Sequence, residues 1–413
     1  MTTKNVLVLA STFPYGDSDD KPDFVRRQVI ALKRENPGIN FFVLAPAEAG
    51  VKRKRKQECS YTEIRFSYFF PSSFQILTKY GILPAIKSNK LLVFLIPFFL
   101  LSEFASALIT VKKEKIDYIY AHWFFPQGLI AYFVSLLTDV PFFYTSHSSD
   151  VQIMSKIPWV GKFFVRKVTR KAVGATAVSR RSLNKISFFF SRTEWERVSK
   201  KINVVPMGVD SPKNRKAGIE EHGLILFMGR LVEKKGVNFL IEALGANRDI
   251  PFKKLVIAGD GPERKRLFEI SNGYKNLDKK IAFVGFVSGA KKESLLSDAS
   301  LIILPSIVAD NGDAEGIPVV LMEALSRGKI CIATRESGAD EYIEDGVNGF
   351  LVDQKNSEQI AGRIRAAMNL SVEQKRKFSE EAIRLSKTFE WSVIARRQLS
   401  AMGLESNEYF DIK

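Results

Sequence analysis

The chain predicts an α/β protein made of two doubly wound, parallel-sheet (Rossmann-like) domains. Three observations carry that expectation. Its 413 residues are too many for one compact core. Short apolar runs alternate with helix-spaced segments in both halves, the pattern of parallel sheets covered on both faces. Residues 207–222, with Gly208, Asp210, Pro212, Asn214 and Lys216, are polar and read as a linker between the halves.

In chain order, residues 5–10 are the first strand candidate. Residues 23–34 have helical spacing, with Phe24, Val25, Val29, Ile30 and Leu32 set among charges. Apolar runs at 41–45, 118–121, 141–145, 172–178 and 202–205 continue the first sheet. The second sheet is expected from 224–229, 254–258, 281–284, 301–304 and 330–333, with helices at 236–246 and 317–326. The expected domains are 1–205 and 206–389, with a helical segment 390–413 packing back on the first. Two such sheets facing each other would leave a cleft at the carboxyl ends of their strands, where ligands of these sheets bind.

Composition narrows the partners. Cys59 and Cys331 are the two cysteines, which excludes a disulfide scaffold and a cysteine-rich zinc site. The opening apolar run is too short for an export signal. The longest run, 91–101, is interrupted by Pro97 and falls short of the about 20 residues a spanning helix needs. No transmembrane segment is therefore expected, and a cytoplasmic location is. The formal net charge is +17, and it is unevenly placed: residues 1–205 hold 31 basic and 15 acidic side chains, residues 206–413 hold 31 and 30. Of the 47 aromatics, 33 lie in 1–205. A basic, aromatic half suggests an anionic partner, either nucleic acid or a membrane surface.

The sharpest motif is Glu315-Gly316-Ile317-Pro318-Val319 with Glu323 further on. Pro318 fits an early helical turn, where its missing N–H costs nothing. Glu315 would stand just before that helix, and the N–H groups of 316–320 would face a ligand. Read alone, the pair could equally be a dipole-complementing acid and a surface glutamate. The wider stretch from Leu304-Pro305-Ser306 to Glu323-Ala324-Leu325 resembles retaining glycosyltransferases of the GT-B fold, family GT4, and in particular bacterial envelope and exopolysaccharide members. Gly229-Arg230-Leu231 with Lys235-Gly236, Gly259-Asp260-Gly261-Pro262, Phe283-Val284-Gly285 and Asp345-Gly346-Val347-Asn348-Gly349 match in the same order.

The resemblance implies a nucleotide-sugar donor, UDP- or GDP-linked, held by the second domain. It places Arg230 and Lys235 on the diphosphate, where charge builds as the leaving group departs. It gives Glu323 the ribose hydroxyls. Glu315, Gly316, Ile317, Pro318 and Val319 would hold the transferred sugar, with Gly285 also on the donor side. Retention by front-face substitution implies no carboxylate nucleophile, so Glu315 and Glu323 are not a hydrolase pair. No cofactor and no metal is expected, because basic residues take the metal's role on the diphosphate.

In the first domain His147, within Ser146-His147-Ser148-Ser149-Asp150, resembles the family's histidine near the donor sugar, although serines stand where many relatives have glycine before the acid. Gly16 follows the first strand, where relatives carry a glycine-rich turn. His122, in His122-Trp123-Phe124-Phe125-Pro126, resembles a turn of polysaccharide-building relatives. Gly16, His122 and Asp150 are the acceptor-side candidates. Asp17-Ser18-Asp19 spells a metal-binding pattern of another glycosyltransferase fold and reads here as a solvated acidic turn. The run Lys52-Arg53-Lys54-Arg55-Lys56 reads as a solvated loop. In 159–171, Lys162, Arg166 and Arg170 share one helical face, Lys167 adds charge, and Trp159 and Phe163 fall among them; such a face suits an anionic membrane. The expected function is a sugar transfer to a lipid-linked or envelope-glycan acceptor, on the inner face of the membrane. A nucleotide-sugar epimerase and a non-enzymatic basic scaffold are the alternatives; no nucleic-acid module is recognised.

Overall fold

The computed structural model describes residues 3–16, 21–51, 54–78, 81–212, 223–310 and 314–405. The acidic turn 17–20, Lys52, Arg53, most of the 207–222 linker, Gly312 and Asp313 lie outside them. The chain packs as two units, Met1–Gly208 with Trp391–Lys413, and Val209–Glu390.

The first unit holds β1 (Lys4–Leu9), β2 (Ile39–Pro46), β3 (Arg55–Gln57), β4 (Thr62–Phe66), β5 (Tyr118–His122), β6 (Phe142–Ser146), β7 (Gly174–Ala177) and β8 (Ile202–Val204). Their order is β3-β4-β2-β1-β5-β6-β7-β8. All neighbours are parallel except β3 and β4. Alternate residues of β1 feed two cores. Leu7 and Leu9 meet Phe99, Val134, Val165 and Val168 from the helices Ile96–Lys113, Leu129–Thr138 and Pro158–Lys171. Val6 and Val8 meet Val25, Val29, Ala395 and Leu399 from the helices Phe24–Glu35 and Trp391–Met402. Each buried Val or Leu side chain contributes about 1.5–3 kcal/mol to that packing.

The second unit holds β9 (Leu224–Met228), β10 (Lys254–Ala258), β11 (Ile281–Gly285), β12 (Leu301–Leu304), β13 (Ile330–Thr334) and β14 (Phe350–Val352). The order β11-β10-β9-β12-β13-β14 is all parallel. Strand order therefore reverses beside β9, and beside β1 in the first unit. The carboxyl ends at such reversals diverge and leave a crevice for ligand.

Three sequence expectations need correction. Arg55 and Lys56 belong to β3 rather than a solvated loop, because Arg55–Gln57 pairs antiparallel with β4. Pro97 does not interrupt the apolar run; it occupies the first turn of Ile96–Lys113, where no N–H is needed. The continuous helical stretch Lys90–Lys113 is thus 24 residues, long and apolar enough by length and composition to cross a membrane. Finally, the helix expected from 317 begins at Val319. Pro318 caps it in an extended conformation (φ −64°, ψ 124°) instead of opening its first turn.

Candidate active site

At the β9 end, Arg230 and the 3₁₀ turn Glu233–Lys235 follow the strand directly. Gly236 ends that turn with φ +61°, and a Cβ there would lie 2.0 Å from the Pro305 carbonyl oxygen. Only glycine lets the loop after β9 sit backbone-to-backbone on the loop after β12. Ile307 N–H donates to the Lys234 carbonyl at 2.8 Å, which locks the two loops together. The result is that Lys235 Nζ donates to Glu315 Oε2 at 2.8 Å, with Lys234 Nζ 3.6 Å from Oε1. The Glu315 side chain is 13% exposed. Burial alone would push its carboxyl up, but the charge of Lys235 and then Lys234, with their hydrogen bonds, holds it below the ordinary carboxylate value.

Arg230 is exposed, and its guanidinium has no carboxylate partner among the described residues. Glu323 lies on the helix Val319–Leu325, where Lys292 Nζ donates to its Oε1 at 2.6 Å. Gly316 and Ile317 are half-buried in the approach to that helix, and Val319 is exposed at its start. Gly285 closes β11 with φ +71°, and its carbonyl accepts from Gly259 N–H at 2.7 Å. Sequence reasoning missed Lys234, the neighbour of Lys235 in the same turn, and Lys292, which lies on the separate helix Gly289–Asp298 and carries no local signal that it faces a carboxylate. A separate groove of about 630 Å³ runs beside edge strand β11, lined by Arg264, Lys265, Phe268 and Phe283 among others; it contains none of the expected site residues.

At the carboxyl ends of β5 and β6 in the first sheet, polar side chains satisfy one another instead. Asp150 Oδ2 accepts from the N–H groups of Phe124 (2.6 Å) and His147 (3.2 Å), and Oδ1 from Ser146 Oγ (3.0 Å). Burial pushes the Asp150 carboxyl up, against the pull of those hydrogen bonds. His147 Nε2 and His122 Nδ1 are 3.3 Å apart, so one ring donates and the other accepts. Burial pulls His147 down to about 3 and His122 well below its ordinary value, where the second ring also disfavours charge. His122 is fully buried, and its Nε2 has no partner among the described residues. This revises the acceptor-side assignment. His122 and Asp150 stand behind the surface as supports, and His147, packed against Phe24 and Trp123, is the partly exposed member. Ser148 takes φ +82°, a conformation that favours glycine, and its Oγ accepts from Lys185 Nζ at 2.9 Å.

Gly16 has open space around it and no left-handed φ, so the fold does not require glycine there. The turn before it is held from β4. Arg65 donates to the carbonyls of Phe13 and Pro14 at 3.0 Å each, pairs with Glu63 at 2.7 Å, and lies 3.9 Å from the Tyr15 ring. On Pro158–Lys171, Trp159, Lys162, Phe163 and Lys167 are exposed, whereas Arg166 and Arg170 both pair with Glu194.

Residues 210–385 match the family model described as glycosyl transferases group 1. A putative colanic acid biosynthesis glycosyltransferase of Salmonella typhimurium is 36% identical over 40% of this chain and 41% of its own length. An uncharacterized glycosyltransferase of Methanocaldococcus jannaschii is 28% identical over 68% of this chain and 73% of its own. The match to the colanic acid relative thus spans about two fifths of that protein. Among solved structures, Anabaena HepE in complex with UDP-glucose has a TM-score of 0.68 at 19% identity, over 97% of this chain and 99% of that one. Sucrose-phosphate synthase of Thermosynechococcus elongatus has a TM-score of 0.72 at 16% identity, over 97% and 98%. Nothing in these likenesses supports the epimerase alternative. The segment that carries Arg230, Lys235, Glu315 and Glu323 matches the glycosyl transferases group 1, on a chain with the GT-B fold.

Proposed function

We propose that the protein transfers a hexosyl group, with retention, from a UDP- or GDP-sugar to a lipid-linked or envelope-glycan acceptor. The observation that carries this reading is the charge arrangement at the β9–β12 reversal. The Arg230 guanidinium, without a carboxylate partner among the described residues, and the Lys235–Glu315 ion pair stand at adjoining strand ends. Diphosphate binding gives Arg230 an anion. It also gives Lys235 a second anion beside Glu315, and both cations gain as negative charge develops on the departing phosphate. Glu315, kept ionised by its lysines, accepts from hydroxyls of the bound sugar and stabilises positive charge at the anomeric carbon. Glu323 offers its second carboxylate oxygen to the ribose, since Lys292 occupies the first.

His147 is neutral, so its part is a hydrogen bond to the sugar rather than general acid chemistry at ordinary pH. No residue is assigned as a covalent nucleophile; the leaving phosphate takes the acceptor proton. The protein acts at the cytoplasmic side of a membrane, where Trp159, Phe163, Lys162 and Lys167 contribute to anionic-lipid contact. The relatives in polysaccharide biosynthesis support an envelope acceptor. Purified protein incubated with a panel of nucleotide-sugars tests the reading: donor-dependent release of nucleotide, accelerated by a lipid-extract acceptor, is expected. Absence of both binding and hydrolysis for every UDP- and GDP-sugar overturns it.

A further inference from the structure

The helical stretch Lys90–Lys113 is apolar on its outward face as well as on its core face. Its core-facing stripe, Leu95, Phe99, Ala107 and Val111, takes in two polar side chains as well. Glu103 is fully buried there and accepts from Gln127 Nε2 at 3.1 Å, and Thr110 is buried beside it. Its outward stripe is Phe94, Phe98, Leu101 and Ile109, exposed by 51–71%. A surface helix in water keeps its outward face polar or charged.

The stripe is not isolated. Phe69 touches Phe98 with ring centroids 5.2 Å apart and extends the surface to the exposed Phe74. The helix packs against Leu129–Thr138, which exposes Leu136 and Leu137 and in turn meets Pro158–Lys171 through Phe133 and Phe164. All these elements cover one face of the first sheet. The helices on its opposite face, Phe24–Glu35 and Trp391–Met402, expose no large apolar side chain. Exposed lysines mark both ends of the apolar helix: Lys90 at one, Lys112 and Lys113 at the other.

We propose that this face of the first unit is a monotopic docking surface for an anionic lipid bilayer. The Lys90–Lys113 helix lies in the plane of the interface, and its outward stripe enters the acyl boundary. The helix does not span, because its inner stripe is already committed to the protein core. Charge complementarity selects the occupant: lysines flank the stripe, and residues 1–205 carry 31 basic against 15 acidic side chains. The proposal deepens the membrane side of the function above and rests on that reading for its purpose. It moves the main contact from Pro158–Lys171, where Arg166 and Arg170 are occupied by Glu194, to Lys90–Lys113.

Sedimentation with vesicles of phosphatidylcholine alone, and of phosphatidylcholine mixed with phosphatidylglycerol, tests the surface. The full-length protein should sediment with the mixed vesicles, less strongly in high salt, and weakly with the neutral ones. The quadruple variant Phe94→Ser, Phe98→Ser, Leu101→Ser, Ile109→Ser should lose roughly a hundredfold in partitioning. Phe98→Ser alone should give a smaller loss in the same direction and guards against a folding defect in the quadruple variant. Donor hydrolysis in solution should be unchanged in both, because the substituted residues belong to the first unit and the donor residues to the second. Equal sedimentation of wild type and quadruple variant, or no sedimentation of wild type, overturns the surface while leaving donor chemistry untouched. So does a concentration-dependent dimer that the serines dissociate without any lipid binding, since the stripe would then belong to a second copy. Loss of donor hydrolysis in wild type with intact vesicle binding sinks the transferase reading instead.

Discussion

The two strand-end clusters both sit at carboxyl ends of their sheets, that of the first unit one strand further from the reversal, and are built by opposite means. Beside β9 and β12 the second unit gathers charge: Arg230, Lys234, Lys235, Lys292, Glu315 and Glu323, with one guanidinium left unpaired among the described residues. Beside β5 and β6 the first unit gathers neutral or internally satisfied groups: two histidines held uncharged by burial and an aspartate whose oxygens accept three protein hydrogen bonds. The charged cluster is suited to meet a ligand that brings its own charge. The neutral cluster is preformed and offers shape and a hydrogen bond.

The largest expected effect falls on the charged side. Arg230→Ala and Lys235→Ala should each cost about 2–4 kcal/mol of barrier, or roughly 30- to 1000-fold in transfer, with an unchanged melting profile for the exposed Arg230. Near-wild-type turnover in both would erase the distinction between the clusters. On the neutral side the damage should be structural. Asp150→Ala orphans the Phe124 and His147 amides and the Ser146 hydroxyl, so unfolding free energy should drop by about 3 kcal/mol in a urea titration. A stable variant with poor catalysis would move Asp150 to the reacting side.

Glu103 sharpens the contrast through pH. Burial pushes its carboxyl up to about 8 from the ordinary 4.5, against the pull of the Gln127 hydrogen bond. Below the ordinary value both folded and unfolded chains hold the proton, and the contribution to stability is complete. As pH rises toward about 8 only the unfolded chain releases it, so stability falls and then levels off. Glu103→Gln should flatten that slope between about pH 5 and about pH 8 in thermal melts; an identical slope in the variant would show that Glu103 is ionised in the folded protein. Smaller again is the split between the two donor-side glutamates. Glu323→Gln should raise KM for donor about tenfold with kcat little changed, whereas Glu315→Gln should lower kcat. Matching kinetic signatures would give the two one role. The smallest effect is none: a chelator should leave activity intact, because fixed cations serve the diphosphate. Loss of activity restored by manganese or magnesium would require a metal site, with Asp17 and Asp19 the first residues to mutate.

What was legible in the sequence follows from the same division. Central strands such as β1, β5 and β12 are buried on both faces and announce themselves as apolar runs. β3 and β4 do not: β3 is Arg-Lys-Gln, and β4 buries Glu63 and Arg65 against each other, so pairing rather than hydrophobicity makes them strands. Glu315, Glu323, Arg230 and Lys235 are visible through the resemblance of several ordered motifs to a family, since the spacing of the glutamates alone fits a structural role equally well. Lys292 was not, because its Glu323 partner lies 31 residues away on another element. Lys90–Lys113 was misjudged at Pro97, a residue that stops a helix from inside but begins one well.

The return of the chain to its first unit bears on the order of synthesis. The backbone leaves that unit after Gly208 and re-enters it at Trp391, whose ring a Cβ on Gly208 would approach to 2.4 Å. The whole of Val209–Glu390 is therefore translated before Ala395 and Leu399 can cover Val25 and Val29. On the ribosome, the earlier half of the first unit waits with one side of its sheet incompletely roofed while the inserted unit is made. A chain stopped at residue 390 would have every residue of the second unit, yet its defect would lie in the first, as an open apolar seam along the helix Phe24–Glu35.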